Sequence, residues 1–80
     1  MKVYQLITKI HLKKKFENND EALEELSDIL IEKDLKIIEE YFINKKSMSD
    51  IARMLGYSRQ YIFQRINSIA EKIYKIDHIK

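Results

Sequence analysis

One short stretch of the chain is rich in side chains that form directional hydrogen bonds. It begins at Ser58 and carries a guanidinium, two amides and a phenol, on Arg59, Gln60, Gln64 and Tyr61. A glutamine amide matches the N6 and N7 atoms of adenine, an arginine matches guanine or a phosphate, and a tyrosine suits a thymine methyl or a phosphate. If one exposed helix face presents these residues, they are candidates for reading base edges in duplex DNA.

Residues suited to catalysis or metal binding are scarce by comparison. The chain has no cysteine, and its two histidines, His11 and His78, lie far apart in sequence without metal-ligand spacing. It has no glycine-rich phosphate loop, and its carboxylates follow the spacing of exposed helix faces. We therefore expect no enzymatic activity, no metal and no cofactor, and we expect both histidines at the surface.

The elements that position this stretch form a pattern of two capped helices around one glycine. Ser47 and Asp50 have the spacing of a capping box, Gly56 suits the left-handed turn that ends a helix, and Ser58 is a second N-cap. The small Ala52 allows the two helices to cross closely. The residues expected to lock the helices together are Ile51, Leu55, Ile62 and Ile66. Together these features predict a helix-turn-helix.

A helical projection separates the polar residues of the second helix from its core side. With Ile62 at the centre of the buried face and about 100° per residue, Gln60, Gln64 and Asn67 fall opposite, with Tyr61 beside them. The N-terminal amides of both capped helices are natural phosphate sites. The residues expected to contact the DNA backbone are Lys45, Lys46, Ser47, Arg53, Ser58, Arg65, Asn67 and Ser68.

Several of these residues also have a simple structural interpretation. Ser47 and Ser58 serve first as helix caps, and Arg53 and Arg65 suit a solvated surface as well as a phosphate. Phe63 is expected to be partly buried by packing rather than to act as an intercalating wedge. The sequence leaves these alternatives open.

The string from Ser47 to Ile62 resembles region four of bacterial sigma factors and the small sigma-region-four-like regulators of the YlxM type. Those families show the pattern Ser-x-x-[Asp/Glu]-Ile-Ala-x-x-Leu-Gly-x-Ser-Arg-x-x-[Val/Ile], and this chain matches each position. The likeness covers roughly residues 34–74. It departs at Lys45 and Lys46, where a glycine and an apolar residue are common, and no other sigma-factor region is present. The resemblance implies a helix-turn-helix that binds DNA or docks on RNA polymerase.

The N-terminal segment has two possible periods. Residues 3–16 place Val3, Ile7 and Ile10 at helical spacing, which favours a helix. An alternation of apolar residues in the same segment also fits a strand that pairs with another subunit. The basic run Lys13 to Lys15 is expected to be a solvated end rather than a phosphate contact.

Two further helices are predicted in the middle of the chain. An Asn-Asn-Asp turn, in which Asn18 and Glu21 fit a capping box, precedes a stripe of leucines. Asp34 is the expected cap of a second helix, Leu35 to Ile43, which Asn44 ends in the left-handed conformation. Nothing between these helices forces a break, so one continuous helix is the alternative. In the first of these two helices, the residues expected to form the buried stripe are Leu23, Leu26 and Leu30.

The last helix is expected to be the longest. Isoleucines recur in it at spacings of four and three residues over two heptads. The first of them must pack on their own domain, whereas the later ones, with Tyr74 and Ile79, are a candidate dimer interface. The series is Ile62, Ile66, Ile69, Ile73 and Ile76.

Composition favours a single all-α domain. The chain has 80 residues with one glycine and no proline, so it lacks the turn residues of an all-β fold. We expect a small helical bundle with a C-terminal helix-turn-helix and a long last helix. Residues 1–33 would form an N-terminal helical or dimerisation segment, and residues 34–80 the helix-turn-helix unit. No leader or membrane-spanning segment is expected, and the predicted location is the cytoplasm.

Charge is segregated along the chain. Residues 1–16 carry five lysines and no acid, residues 17–40 carry ten acids and two lysines, and residues 41–80 carry eight bases and three acids. A basic C-terminal half suits a polyanion, and the acidic middle is expected to face away from it.

The predicted function is sequence-specific binding of double-stranded DNA by a transcriptional regulator of bacterial, phage or plasmid origin. The protein is expected to act as a homodimer on two half-sites. One alternative is a protein-binding module that docks on RNA polymerase or another regulator. Another is a partition, replication or packaging factor that uses the same motif.

Overall fold

A computed structural model describes residues 3–19 and 21–79, and every regular element in these ranges is helical. The helices are α1 (Val3–Asn18), α2 (Ala22–Leu26), α3 (Glu32–Ile38), α4 (Met48–Leu55) and α5 (Arg59–His78), and a π-helical turn, Glu39–Ile43, extends α3. The all-α fold with a C-terminal helix-turn-helix and a long last helix is therefore confirmed. The strand alternative for residues 3–16 is wrong. Among the described residues, no helix combines the length and apolar content needed to cross a bilayer.

Helix α1 lies across the middle of α5. On one side the Tyr4 and His11 rings meet the edge of Tyr74, at centroid distances of 5.8 and 5.4 Å. On the other side the Lys9 ammonium lies 5.0 Å from the centroid of Phe63. Opposite sides of α1 thus contact the two halves of α5, at Phe63 and at Tyr74, so the two helices cross.

The buried side of α1 differs from its most apolar side. Thr8 and Leu12 are fully buried, and the Thr8 hydroxyl donates to the Gln5 carbonyl at 3.0 Å. Ile7 and Ile10, whose spacing predicted the helix, are 44% and 45% exposed. Helix α1 is therefore apolar on two faces, of which α5 covers one.

The turn before α2 differs from the predicted capping box. Asn18 is the last residue of α1, and the Asn19 side chain accepts the hydrogen bond from the Glu21 amide at 2.9 Å. Asp20, the last residue of the expected turn, lies outside the described residues. An extended residue, Ile31, separates α2 from α3, so the continuous-helix alternative is wrong.

Both predicted ends of the second middle helix are also displaced. The helix begins at Glu32, so Asp34 lies in its first turn and is buried rather than acting as the cap. At the other end Asn44 is right-handed, and Lys45 takes the left-handed conformation with φ of 58°. The π-helical turn moves the left-handed residue that ends the helix from position 44 to position 45. In this turn the Asn44 amide donates to the Glu39 carbonyl, five residues back.

The core lies where α5 meets the other helices. Ile73 is buried, but Ile76 is 40% exposed, so the isoleucine series leaves the core before its last member. Phe16 stacks on Phe42 at 5.1 Å and joins α1 to the π-helical turn. The largest of the fully or almost fully buried aliphatic residues are Leu12, Leu26, Ile37, Ile38, Ile51, Ile62, Ile66, Ile69 and Ile73.

Candidate nucleic-acid interface

Two capped helices and a left-handed glycine position the start of α5. The Ser47 hydroxyl accepts from the Asp50 amide at 3.1 Å, and the Ser58 hydroxyl accepts from the Tyr61 amide at 3.0 Å. Between them Gly56 has φ of 80° and donates to the Ala52 carbonyl at 2.9 Å. The two predicted caps and the predicted glycine turn are confirmed. A side chain at position 56 would be strained, because only glycine adopts this φ at low cost.

The first two turns of α5 carry exposed polar side chains. Arg59, Gln60 and Gln64 are exposed, as is Ser68 further along the same helix. Phe63 is half-buried, as predicted, beneath the Lys9 ammonium. The structure thus brings one guanidinium and two amides together at the helix start, where recognition helices contact bases.

Tyr61 lies at the edge of this surface. Its half-buried ring packs 4.6 Å from that of Tyr57, and the Lys33 ammonium lies 5.4 and 5.5 Å from the two ring centroids. Tyr61, followed by Tyr57, raises the pKa of Lys33 above its ordinary value, so this ammonium remains charged at neutral pH. The sequence did not identify Lys33 as a neighbour of the predicted base-reading residues.

Arg65 is held within the fold. Its Nη2 and Nε donate to the two carboxylate oxygens of Asp34 at 2.6 and 3.1 Å. Hydrogen bonding to Asp34 raises the pKa of Arg65 further above its ordinary value. This bidentate pair ties α3 to α5, and it gives Arg65 a structural partner that the sequence did not indicate.

The expectation that Asn67 lies opposite the core is wrong. Asn67 is 7% exposed, and its Oδ1 has no hydrogen-bond partner among the described residues. The projection placed the core around Ile62 alone, whereas α1 also covers the side of α5 that carries Phe63 and Tyr74. Asn67 is therefore not available for the predicted contact with the DNA backbone.

A basic groove reaches α5 at Ile66, at the end of the second turn of that helix. It is a pocket of about 520 Å³ between α1, the π-helical turn and α5, and Lys9 and Lys13 lie across it from Lys45 and Lys46. Among the described residues, Lys46 is the one lysine of these four that pairs with a carboxylate, that of Glu40 at 3.1 Å. The full lining is Lys9, Ile10, Lys13, Tyr41, Phe42, Lys45, Lys46 and Ile66. Sequence reasoning missed Lys9 and took Lys13 as a solvated end, because only the fold brings them to Lys45.

Glu40 organises the segment that leads into α4. Its Oε1 accepts from Asn44 Nδ2 at 3.0 Å and pairs with Lys46 at 3.1 Å, and its Oε2 pairs with Lys36 at 2.9 Å. The hydrogen bonds from Asn44, Lys36 and Lys46 lower the pKa of Glu40 to about 2. The hydrogen bond between Lys36 and Glu40 also raises the pKa of Lys36. The charged carboxylate thus anchors Lys46 beside the groove.

Arg53 remains at the surface, where it pairs with Asp50 at 3.2 Å, and its side chain is 77% exposed. Lys45 is exposed too, and its left-handed backbone carries the ammonium to the rim of the basic groove. Both residues are placed where a bound polyanion could reach them.

The two histidines are neighbours despite their separation in sequence. Their ring centroids are 5.1 Å apart, and His11 Nε2 lies 2.7 Å from an Asp77 carboxylate oxygen that Lys15 also contacts at 3.2 Å. His11 is half-buried, so the surface position expected for it is wrong, whereas His78 is exposed. Within the described ranges, no three potential ligands lie close enough together to hold a metal ion.

Comparisons of the chain with models of protein families, with curated proteins and with solved structures give no match. The likeness to sigma region four therefore rests on the residues from Ser47 to Ile62, whose caps and turn are described above.

Proposed function

We propose that the protein binds double-stranded DNA sequence-specifically, with the start of α5 in the major groove, and acts as a transcriptional regulator. The observation that carries the proposal is the exposure of Arg59, Gln60 and Gln64 on the first two turns of a capped helix. Amide and guanidinium groups at this position suit adenine and guanine edges. Tyr61 contributes from the edge of the same surface.

The charged surroundings of this surface support the proposal. Lys45 and Lys46 lie just before the capped start of α4, and α4 and α5 each present N-terminal amides. Such amides favour phosphate oxygens. The proposed backbone contacts are Lys45, Lys46, Ser47, Arg53, Ser58 and Ser68. Arg65 and Asn67 are not among the proposed contacts, because Arg65 is paired with Asp34 and Asn67 is buried.

We further propose a cytoplasmic regulator that acts as a homodimer on two half-sites. A recognition helix contacts only a few base pairs, and a second copy doubles the length of the site that is read. Binding is expected to weaken steeply as salt rises, because each neutralised phosphate releases counterions.

The experiment is selection of preferred sites from random duplexes, followed by titration of those sites with variants. Gln60→Ala and Gln64→Ala should each relax the preference at one base position, by about 1–3 kcal/mol. Ser68→Ala removes a proposed backbone contact on the same helix and is the matched control: it should weaken binding to all sites alike and leave the base preference unchanged. If all three variants keep the base preference of the wild type, this face of α5 does not contact the bases.

A protein-binding role is a second candidate, favoured by an acidic surface around α2. Glu21, Glu24, Glu25 and Asp28 are all exposed. A like-charged surface of this kind repels DNA and suits a basic protein partner, of which RNA polymerase or another regulator is an example. Recovery of polymerase with the tagged chain, together with no binding to any selected duplex, would favour this function. A selected site at a replication, partition or packaging locus would instead indicate a DNA-handling role.

A further inference from the structure

The outer face of α1 carries four aliphatic side chains that the described chain leaves uncovered. Val3, Leu6, Ile7 and Ile10 are 72%, 47%, 44% and 45% exposed. Their spacing of three, four and seven residues places them on one side of the helix, opposite the buried Thr8 and Leu12. We call these four residues the α1 stripe.

We propose that the α1 stripe is the interface between two copies of this chain, paired antiparallel about a two-fold axis between Leu6 and Ile7. In this arrangement Val3 lies opposite Ile10 of the second copy, and Leu6 lies opposite Ile7. The stripe is then self-complementary, as an interface with two-fold symmetry must be.

Charge selects the antiparallel orientation. The stripe is followed on the same helix by the exposed Lys13 and Lys14. A parallel pair would place both lysines beside those of the second copy, and like charges that close repel. An antiparallel pair separates the two lysine pairs to opposite ends and also aligns the helix dipoles favourably.

The size of the stripe agrees with the apolar core of a dimer interface. At the exposures given above, its four side chains present on the order of 400 Å² of apolar surface, the size of the largest apolar patch on a soluble protein, and such patches are often functional. A standard interface buries ~800 Å² on each partner, of which roughly 60% is apolar. The stripe thus provides most of that apolar area, and the neighbouring polar residues of α1 provide a rim.

The stripe is a better candidate than the end of α5. There, Ile76 and Ile79 are 40% and 74% exposed, but they are two residues at the last turn of the helix. Four residues over two consecutive turns make a continuous ridge that a second helix can pack against. The dimer interface therefore belongs to the N-terminal segment and not to the C-terminal isoleucines.

This inference deepens the proposed homodimer, but its test does not use DNA. Sedimentation equilibrium of the full chain at micromolar concentrations should give twice the 9.7 kDa of one chain. Ile7→Lys should weaken self-association at least 100-fold, since it places two ammonium groups near the axis. Ile76→Lys is the matched control, an isoleucine of similar exposure on α5, and should leave the dimer intact. Circular dichroism checks that both variants remain helical.

Cross-linking tests the orientation. The chain has no cysteine, so Val3→Cys and Ile10→Cys each introduce a single reactive thiol. A short bismaleimide should cross-link the two variants when they are mixed. It should not cross-link two copies of the same variant. Cross-linking of Val3→Cys alone would indicate a parallel pair and overturn the proposed geometry.

Three other outcomes would overturn the interface. A monomeric wild-type chain, or a dimer that Ile76→Lys disrupts and Ile7→Lys does not, would exclude the α1 stripe. The interface would also be excluded if the wild-type chain is a monomer that binds anionic phospholipid vesicles and the Ile7→Lys variant does not bind them. If the chain is monomeric yet binds a selected duplex, the interface fails while the proposed DNA-binding function stands.

Discussion

Arg65 and Asp34 form the most buried ion pair that links two helices of the helix-turn-helix unit. The guanidinium holds both carboxylate oxygens, at 2.6 and 3.1 Å, and Asp34 is only 5% exposed. The carboxylate is almost entirely removed from water, and Arg65 is the cation that compensates its burial. The pair therefore fixes α3 against α5, which holds the exposed start of α5 in place.

Replacement of Arg65 by alanine is expected to lower the free energy of unfolding by about 3 kcal/mol, because it leaves a buried carboxylate without a partner. Arg53→Ala is the matched control. Arg53 pairs with Asp50 at the surface, where both side chains are more than half exposed, and its loss should cost under ~1 kcal/mol. Urea denaturation measures both. Equal losses in the two variants would contradict a structural role for the Arg65 pair.

Local features of the helix-turn-helix could be predicted from sequence, whereas contacts made by distant segments could not. The caps at Ser47 and Ser58 and the turn at Gly56 depend on residues within four positions of each other, and all three were predicted correctly. Asp34 and Asn67 were misplaced because their surroundings are built by other helices. Asp34 meets a residue 31 positions away, and α1 covers a face of α5 that a helical projection centred on Ile62 leaves exposed.

The basic groove could not be predicted for the same reason. Lys9 and Lys45 are far apart in sequence and line the same groove only because α1 crosses α5. The helical period of α1 was recognised, but a helix that is apolar on two faces does not reveal which face its own chain covers.

The left-handed conformation of Lys45 predicts an unusual response to glycine. A non-glycine residue with φ of 58° costs about 1 kcal/mol relative to glycine. Lys45→Gly should therefore be more stable than Lys45→Ala by about 1 kcal/mol, as measured by thermal unfolding.

Lys46 provides the control for this effect. Its φ is not positive, so Lys46→Gly should be no more stable than Lys46→Ala. If glycine and alanine are equivalent at position 45, the backbone strain assigned to Lys45 is absent. For DNA affinity, both Lys45 variants should weaken binding equally, since both remove the same ammonium.

The environment of Glu40 predicts a pH-dependent stability. Its pKa is lowered from 4.5 to about 2 by the hydrogen bonds from Asn44, Lys36 and Lys46. The unfolded chain thus binds a proton at higher pH than the folded chain does. The stabilisation from Glu40 is therefore complete above about pH 4.5 and disappears as the pH falls through about 2. Glu40→Gln should be less stable than the wild type at pH 7, and the difference should shrink progressively between pH 4.5 and 2.

Glu24→Gln is the control, because Glu24 is exposed on α2, and its difference from the wild type should remain small throughout. The pKa of Asp77 is also lowered from its ordinary value. Its burial acts to raise the pKa, but hydrogen bonds from His11 and Lys15 lower it overall. Because Asp77 is unchanged in both variants, its contribution cancels in the comparison. A Glu40→Gln difference that is independent of pH would show that the carboxylate charge does not matter.

The basic groove predicts that α1 takes part in DNA binding, which the motif alone does not suggest. Lys9 and Lys13 lie across the groove from Lys45, beside the first turns of α5. If both contact phosphates, the double variant Lys9→Ala/Lys13→Ala should weaken binding to all duplexes alike. It should also reduce the slope of log affinity against log salt by about 2, or roughly 0.9 for each lost contact. Fluorescence anisotropy over a range of salt concentrations measures this slope.

The control must remove the same charge from elsewhere on the surface. Lys72→Ala/Lys75→Ala lowers the net charge equally, but both lysines are exposed and neither lines the groove. A change in slope of the same size in both double variants would mean that net charge, and not the groove, determines the effect. A reduced slope in Lys9→Ala/Lys13→Ala alone, with unchanged base preference, would assign these two lysines to the DNA backbone. The N-terminal helix would then both orient the recognition helix and widen its contact with the duplex.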